Sequence, residues 1–129
     1  MIKLVSDTID REDINSLIKW LSQDEIPRLT KGNLTLELES KWAEKIGTKY
    51  SVYLNSGSSA ILLALAALLQ TDKLKNKKIV IPSLSWATDV SSPMLLGMEP
   101  IMCDCNLEDL SCDLNHLENL FVEHSPSSM

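Results

Sequence analysis

Two hydroxyl-rich turns and one cysteine–histidine pattern are the places in this chain whose residue types and spacing could do chemistry. The first turn is Asn55-Ser56-Gly57-Ser58-Ser59-Ala60. It lies between a run with strand character, residues 50–54, and an apolar helix candidate, residues 60–69. A strand–turn–helix junction leaves backbone N–H groups without intrahelical partners, and the helix dipole adds partial positive charge there. Such a turn can hold a phosphate. Gly57 would allow a sharp bend and a close approach of ligand to backbone, and Ser58 and Ser59 would add hydroxyl donors. The same small residues also make an ordinary capped connection, and their chemistry alone leaves both readings open. The second turn, from Ser83 to Thr88, follows a short apolar strand, and its Trp86 offers a flat aromatic face. A phosphate with an aromatic ring attached would use both turns.

Cys103, Cys105, Cys112 and His116 form C-x-C-x6-C-x3-H, which invites a zinc reading. The spacing is not that of a C-x2-C knuckle, however, and Cys103 and Cys105 alternate onto one face of a strand. Core packing of small thiols is the reading adopted, with no metal. His116 and His124 have no nearby nucleophile and read as surface helix positions. The chain has no G-x-G-x-x-G, G-x4-G-K-[ST] or G-x-S-x-G, which weighs against dinucleotide, nucleotide-triphosphatase and hydrolase chemistry.

The elements that must position these turns follow from period and punctuation. Asp10 opens a first helix, with Asp13 three residues on, and Ile14, Leu17, Ile18 and Leu21 recur at helical spacing. Pro27 ends that region, and Arg28-Leu29-Thr30-Lys31-Gly32 is a loop. A second helix runs from about residue 33 to 46, with Leu34, Leu38, Trp42 and Ile46 four apart, Trp42 in the core and Gly47 as the stop. The helix after Gly57 is apolar on every side and should be buried all round, against a sheet or a partner subunit. Lys78-Ile79-Val80-Ile81, stopped by Pro82, reads as a central parallel strand. Ser83 onward begins a helix with a hydroxyl-rich cap that Gly97 closes, and residues 100–105 are a third strand. Asp113 caps a last helix that buries Leu114, Leu117, Leu120 and Phe121. This βαβαβα alternation argues for an α/β fold with a mostly parallel sheet, in which ligands sit beyond the carboxyl ends of strands.

Composition bounds the partners. The chain has 129 residues, 44% hydrophobic and 23% charged, with a net charge of −6, enough for one globular core. The lysines at 73, 75, 77 and 78 read as a solvated connection, with no nucleic-acid role. The N-terminal residues turn polar too early for a signal peptide, and the longest apolar run, 60–69, is too short to span a bilayer. Three cysteines without export signals suggest reduced thiols in a cytoplasm. The ending from His124 to Met129 lacks a natural stop to a fold.

Taken together these segments resemble the N-terminal part of the DegT/StrS family of nucleotide-sugar aminotransferases, from about Ile9 to Phe121. Four places carry the resemblance: the loop 28–32 followed by Leu38-Glu39 and Trp42-Ala43 before Gly47; Asn55 to Ala60 with its Leu/Ala-rich helix; Ile81-Pro82-Ser83-Leu84-Ser85-Trp86-Ala87-Thr88; and Glu99 to Asp104, then Leu110 and Asp113. The resemblance implies the N-terminal part of the large domain of a type I pyridoxal-phosphate aminotransferase. It divides the chain into an N-terminal helix and substrate-side loop, 1–32, and a partial cofactor-binding domain, 33–129. Gly57, Ser58 and Ser59 would hold the cofactor phosphate, Trp86 would stack on its ring, and Thr30 and Lys31 would line the substrate side, often across a homodimer interface. The implied activity is transfer of an amino group from an amino acid such as glutamate to a keto-sugar nucleotide. A sugar dehydratase of the same family, a non-catalytic truncated module and an unrelated phosphate-binding domain are the alternatives. No catalytic residue is assigned: the lysine that binds the cofactor covalently and the acidic partner of the pyridine nitrogen lie, in relatives, beyond the position matching Met129. The chain therefore reads as roughly the first third of such an enzyme, and alone it should be poorly stable or aggregate, with strand edges unpaired.

Overall fold

A computed structural model describes residues 7–126. The expectations for the N-terminal signal region and for the last residues of the chain fall wholly or partly on 1–6 and 127–129, outside the described residues. The chain divides into two compact units between Tyr53 and Leu54.

The first unit holds two helices, α1 (Arg11–Leu21) and α2 (Asn33–Ile46). Asp10 caps α1: its carboxylate accepts the N–H groups of Glu12 (2.8 Å) and Asp13 (3.0 Å), while Asp13 accepts that of Asp10 at 3.1 Å. This reciprocal arrangement satisfies the first-turn donors of α1. α2 has the bounds that its period and Gly47 predict, and Gly47 takes the left-handed conformation (φ 71°) that lets the chain leave the helix. Its stripe is not core, however. Trp42 is 48% exposed, Leu34, Leu38 and Ile46 are exposed too, and only Ala43 is buried.

Residues 50–54 form no strand. A lone extended segment has no ladder to satisfy its backbone, and no neighbouring strand is present among the described residues. Glu39 of α2 holds the segment instead: its carboxylate accepts the Tyr53 N–H at 2.9 Å, and its carbonyl accepts the Ser51 hydroxyl.

The second unit comprises α3 (Gly57–Leu69), β1 (Lys78–Pro82), α4 (Ala87–Leu95), β2 (Glu99–Cys103) and α5 (Leu114–His124). β1 and β2 pair in parallel, with Val80 opposite Ile101 and Pro82 opposite Cys103. Side chains of a strand alternate between faces. Ile79 and Ile81 accordingly pack with Met98, Leu65, Leu69 and Val90 on the side of α3 and α4. Val80 and Cys103 pack with Leu120, Leu117 and Cys112 on the side of α5. The result is a helix–sheet–helix stack around a two-stranded parallel sheet.

Three expectations change here. α3 is apolar all round, yet it has no buried residue and Leu63 is 51% exposed, because only its Leu65 and Leu69 side has the sheet to cover it. α4 starts at Ala87, later than the hydroxyls suggested. Ser85 Oγ donates to the carbonyl of Pro82 at 2.9 Å and shapes the turn, leaving the helix start to Trp86 and Asp89. On α5, Leu120 is buried and Leu117 half-buried, but Leu114 and Phe121 are exposed. Asp113 caps α5 as expected, accepting the N–H groups of Asn115 (2.9 Å) and His116 (3.0 Å). Asn76 joins the two ends of the stack: its amide donates to the carbonyl of Ser125 at 2.9 Å and accepts the Lys78 N–H at 2.9 Å.

Candidate functional site

α3 and α4 pack against each other, and a concavity of about 320 Å3 opens where both helices begin. Gly57, Ser58 and Ile61 line it from α3, and Trp86, Thr88 and Asp89 from the start of α4. It lies past the carboxyl end of β1, since α4 follows that strand directly. First-turn amides of a helix have no intrahelical acceptor, so two positive helix ends share one hollow. Among the described residues, the amides of Gly57 and Ser58 on α3 and of Ala87 and Thr88 on α4 have no acceptor.

The structure brings together three of the four residues read as cofactor ligands: Gly57, Ser58 and Trp86. Ser59 stands apart. Its N–H goes to Ser56 Oγ at 3.1 Å, and the Ser56 and Ser59 hydroxyls bond each other at 3.1 Å. Ser56 is thus the N-cap of α3, which the sequence reading left unnoticed, and the Ser59 amide is already in use. Gly57 makes no sharp bend, as it is the first residue of a regular helix. A Cβ placed on it would meet nothing within 4 Å. The protein therefore imposes no need for glycine here, and the open space over its backbone is available to a ligand.

Asp89 is the site residue that sequence reasoning missed. Its carboxylate accepts the Trp86 N–H at 3.1 Å, and the Trp86 carbonyl accepts the Asp89 N–H at 2.9 Å. This reciprocal pair fixes the backbone from which the indole projects, and an acidic residue three positions after a helix start was the available signal. Trp86 itself is 74% exposed, so its ring is free to face a partner.

Thr30 and Lys31 belong to the first unit. Lys31 has a left-handed backbone (φ 32°) and lines a separate concavity of about 450 Å3 with Trp20, Arg28 and Asn33, and Thr30 is not among its lining residues. Around the cysteines, His116 is half-buried, correcting its reading as a surface position: its Nδ1 accepts the Asp104 N–H at 3.0 Å and so faces the loop backbone. His124 is half-buried as well, 3.6 Å from the Glu123 carboxylate. Among the described residues, no group of three or more His, Cys, Asp or Glu side chains is arranged to hold a metal ion. None of the described helices is long and apolar enough to cross a membrane.

Residues 7–126 match the model of the DegT/DnrJ/EryC1/StrS aminotransferase family. The chain belongs to this family. The similarity extends to curated members with two different reactions. A GDP-4-keto-6-deoxy-D-mannose 3-dehydratase of Yersinia pseudotuberculosis is 32% identical over 93% of this chain and 30% of its own length. A UDP-4-amino-4,6-dideoxy-N-acetyl-beta-L-altrosamine transaminase of Campylobacter jejuni is 34% identical over 97% of this chain and 31% of its own. Among solved structures, the Escherichia coli GDP-4-keto-6-deoxy-D-mannose-3-dehydratase with bound hydrated pyridoxal phosphate superposes with a TM-score of 0.67. It is 27% identical over 90% of this chain and 30% of that one. The chain thus spans about 30% of the length of the curated relatives it matches. The fold is the one expected of a DegT-family member and matches part of the fold of that pyridoxal-phosphate-bound relative.

The concavity suits that cofactor on its own geometry. It offers partnerless amides at two helix ends for a phosphate, an open approach over Gly57, the apolar Ile61 as lining and an uncovered indole for a ring.

Proposed function

We propose that this chain supplies the phosphate- and ring-holding part of a pyridoxal-phosphate site, in an enzyme that transfers an amino group from an amino acid such as glutamate to a keto-sugar nucleotide. The observation that carries the reading is the single hollow where α3 and α4 both begin, with Trp86 uncovered at its edge. In this reading the amides of Gly57 and Ser58 bind the phosphate, the Ser58 hydroxyl adds a donor, Ser59 serves by holding Ser56 at the helix start, and the Trp86 indole orients the ring. Asp89 acts through Trp86, whose backbone it pins. Bound pyridoxal phosphate supplies an electron sink for chemistry at the substrate carbon. Thr30 and Lys31 are assigned to the substrate side. The open apolar flank of α3 is assigned to further sheet or to a second subunit of a cytoplasmic homodimer.

The cofactor reading is tested with pyridoxine 5′-phosphate, which has the ring and phosphate but no aldehyde to react with surface lysines. Titrated into this chain and followed by phosphorus NMR, it should bind saturably, and pyridoxine without the phosphate should not. Gly57→Ala places a methyl in the space the phosphate would occupy, without touching protein, and should weaken binding about tenfold or more. Equal binding by wild type, Gly57→Ala and Trp86→Ala would remove the cofactor from this hollow.

Dehydration of the sugar is a second reading, favoured by the dehydratase from Yersinia pseudotuberculosis being similar over 93% of this chain. The coding sequence after Met129 discriminates. A lysine at the family's covalent cofactor position supports amino transfer, another residue there supports dehydration, and a stop codon leaves only a binding or interaction role.

A further inference from the structure

Beyond the cofactor hollow, the residues that join β2 to α5 hold a second feature with chemistry of its own. Cys105 and Cys112 face each other in an antiparallel bridge. The bonds beside them are Asn106 N–H to the Ser111 carbonyl (2.7 Å) and Asp113 N–H to the Asp104 carbonyl (2.8 Å). In that pattern the two cysteines are the non-hydrogen-bonded pair, the closer kind, with Cα atoms about 4.5 Å apart. A disulfide takes Cα separations of about 4.4–6.8 Å, so the backbone already meets its requirement and only the side chains need to approach.

The intervening residues 106–111 are tied to themselves rather than slack. Leu110 N–H bonds the Asn106 carbonyl at 2.9 Å, Glu108 N–H the Asn106 side chain at 2.9 Å, and Ser111 gives both its N–H (3.0 Å) and its hydroxyl (2.8 Å) to Asp109. The turn holds the two cysteine backbones opposite each other before any bond forms, while the Cys112 side chain packs against Cys103. Both are free and half-buried, open in part to a small reagent.

The third cysteine is placed differently. Cys103 is 0% exposed between Val80 and Leu120, and its thiol donates to the carbonyls of Asp104 (3.5 Å) and Asp113 (3.7 Å). Burial first, then the nearby Cys112, pushes its pKa above the ordinary thiol value, so it stays protonated and a poor nucleophile.

We infer that Cys105 and Cys112 form a redox-active pair that closes to a disulfide by exchange with a small disulfide such as oxidised glutathione, while Cys103 remains a structural thiol. One of the two thiols loses its proton to water and its sulfur attacks the glutathione disulfide, releasing one glutathione thiolate. The second, likewise deprotonated, attacks the mixed disulfide and releases the other. Two protein thiols become one disulfide, and one oxidised glutathione becomes two reduced molecules. The bond would lock the connection that ends one residue before Asp113, the cap of α5.

Treating the chain with oxidised glutathione, then blocking residual thiols and mapping with proteases that cut at Glu108 and before Asp104, tests this. Those cuts separate Cys105 from Cys112 and from Cys103. The expected product has lost two hydrogen atoms, links Cys105 to Cys112, and exceeds any other linkage about tenfold in buffer because of the held geometry. In urea that preference should disappear. Cys105→Ser should stop at a single glutathione adduct, whereas Cys103→Ala should still close. The inference is overturned by mixed disulfides alone, by a dominant link through Cys103, by the same linkage pattern in buffer and urea, or by Cys105→Ser closing as readily as wild type. Each readout is independent of pyridoxal-phosphate binding.

Discussion

The two units of this chain are built from equally clear local signals and end up with very different interiors. In the first unit, α1 has a complete reciprocal cap and an apolar face, yet Ile14, Leu17, Ile18 and Leu21 are all exposed, and Ala43 is the one buried residue in either helix. In the second, α4 begins without a hydroxyl cap, but β1 carries three successive buried residues, Ile79, Val80 and Ile81. The difference is a paired strand. Once β1 and β2 satisfy each other's backbone, both faces of the ladder can take a helix, and burial follows from alternation. A capped amphipathic helix with nothing opposite its stripe gains a conformation but little hydrophobic stabilisation.

Removing the same side chain in each unit should have unequal consequences. Ile81→Ala should destabilise the second unit by about 2–5 kcal/mol, as expected for a buried aliphatic, whereas Ile46→Ala on α2 should stay within about 0.5 kcal/mol. Amide hydrogen exchange of β1 and of α2 reads the two effects separately. Comparable losses would mean that α2 has a cover that its exposure does not reveal.

The helix caps of the two units should differ in the same way. Asp113→Ala and Asp10→Ala remove equivalent carboxylates, each accepting two first-turn amides, and each should cost about 1 kcal/mol locally. For α5, packed on the sheet, the loss should appear as faster exchange at the Leu117 and Leu120 positions and around Val80. For α1 it should appear as fraying alone. If Asp10→Ala also exposed distant amides, the description of α1 as an uncovered helix would fail.

The smallest expected effect is electrostatic. Glu37 and Lys41 pair one turn apart on the exposed surface of α2 at 2.6 Å, and that hydrogen bond, then the charge of Lys41, lowers the Glu37 pKa below its ordinary 4.5. A lowered carboxylate pKa means the pair contributes above the unfolded value and loses its contribution as pH falls through the folded one, below 4.5. A carboxyl titration by NMR should therefore have a midpoint below 4.5 that returns toward it in Lys41→Met and in high salt. An unmoved midpoint would mean that the pair is not populated in solution.

Much of the scaffold was legible because its cues are local. Asp10 and Asp113 name two helix starts, Gly47 names a stop, and the apolar run stopped by Pro82 names a strand buried on both faces. What period cannot say is whether anything lies opposite an apolar face. Trp42, the outer side of α3 and Phe121 were all read as core, and each lacks a cover among the described residues. Residues 50–54 failed as a strand for the same reason, since extended backbone becomes a strand only when a neighbour accepts its hydrogen bonds. The candidate site was legible as two turns, but their meeting in one hollow depends on α3 packing against α4, a tertiary fact. Asp89 was hidden for a related reason: its importance lies in the backbone it pins, not in its own reactivity.

The Asn76 amide that joins the start of β1 to the end of α5 reaches across 49 positions of sequence, more than twice the separation of the paired strands. Bringing such ends together costs more chain entropy than pairing β1 with β2, though by less than about 1 kcal/mol because the cost grows only logarithmically. α5 is the element that shuts the face where Val80 and Cys103 lie. During synthesis, the interval before the ribosome releases α5 is when that apolar face stands open to other chains.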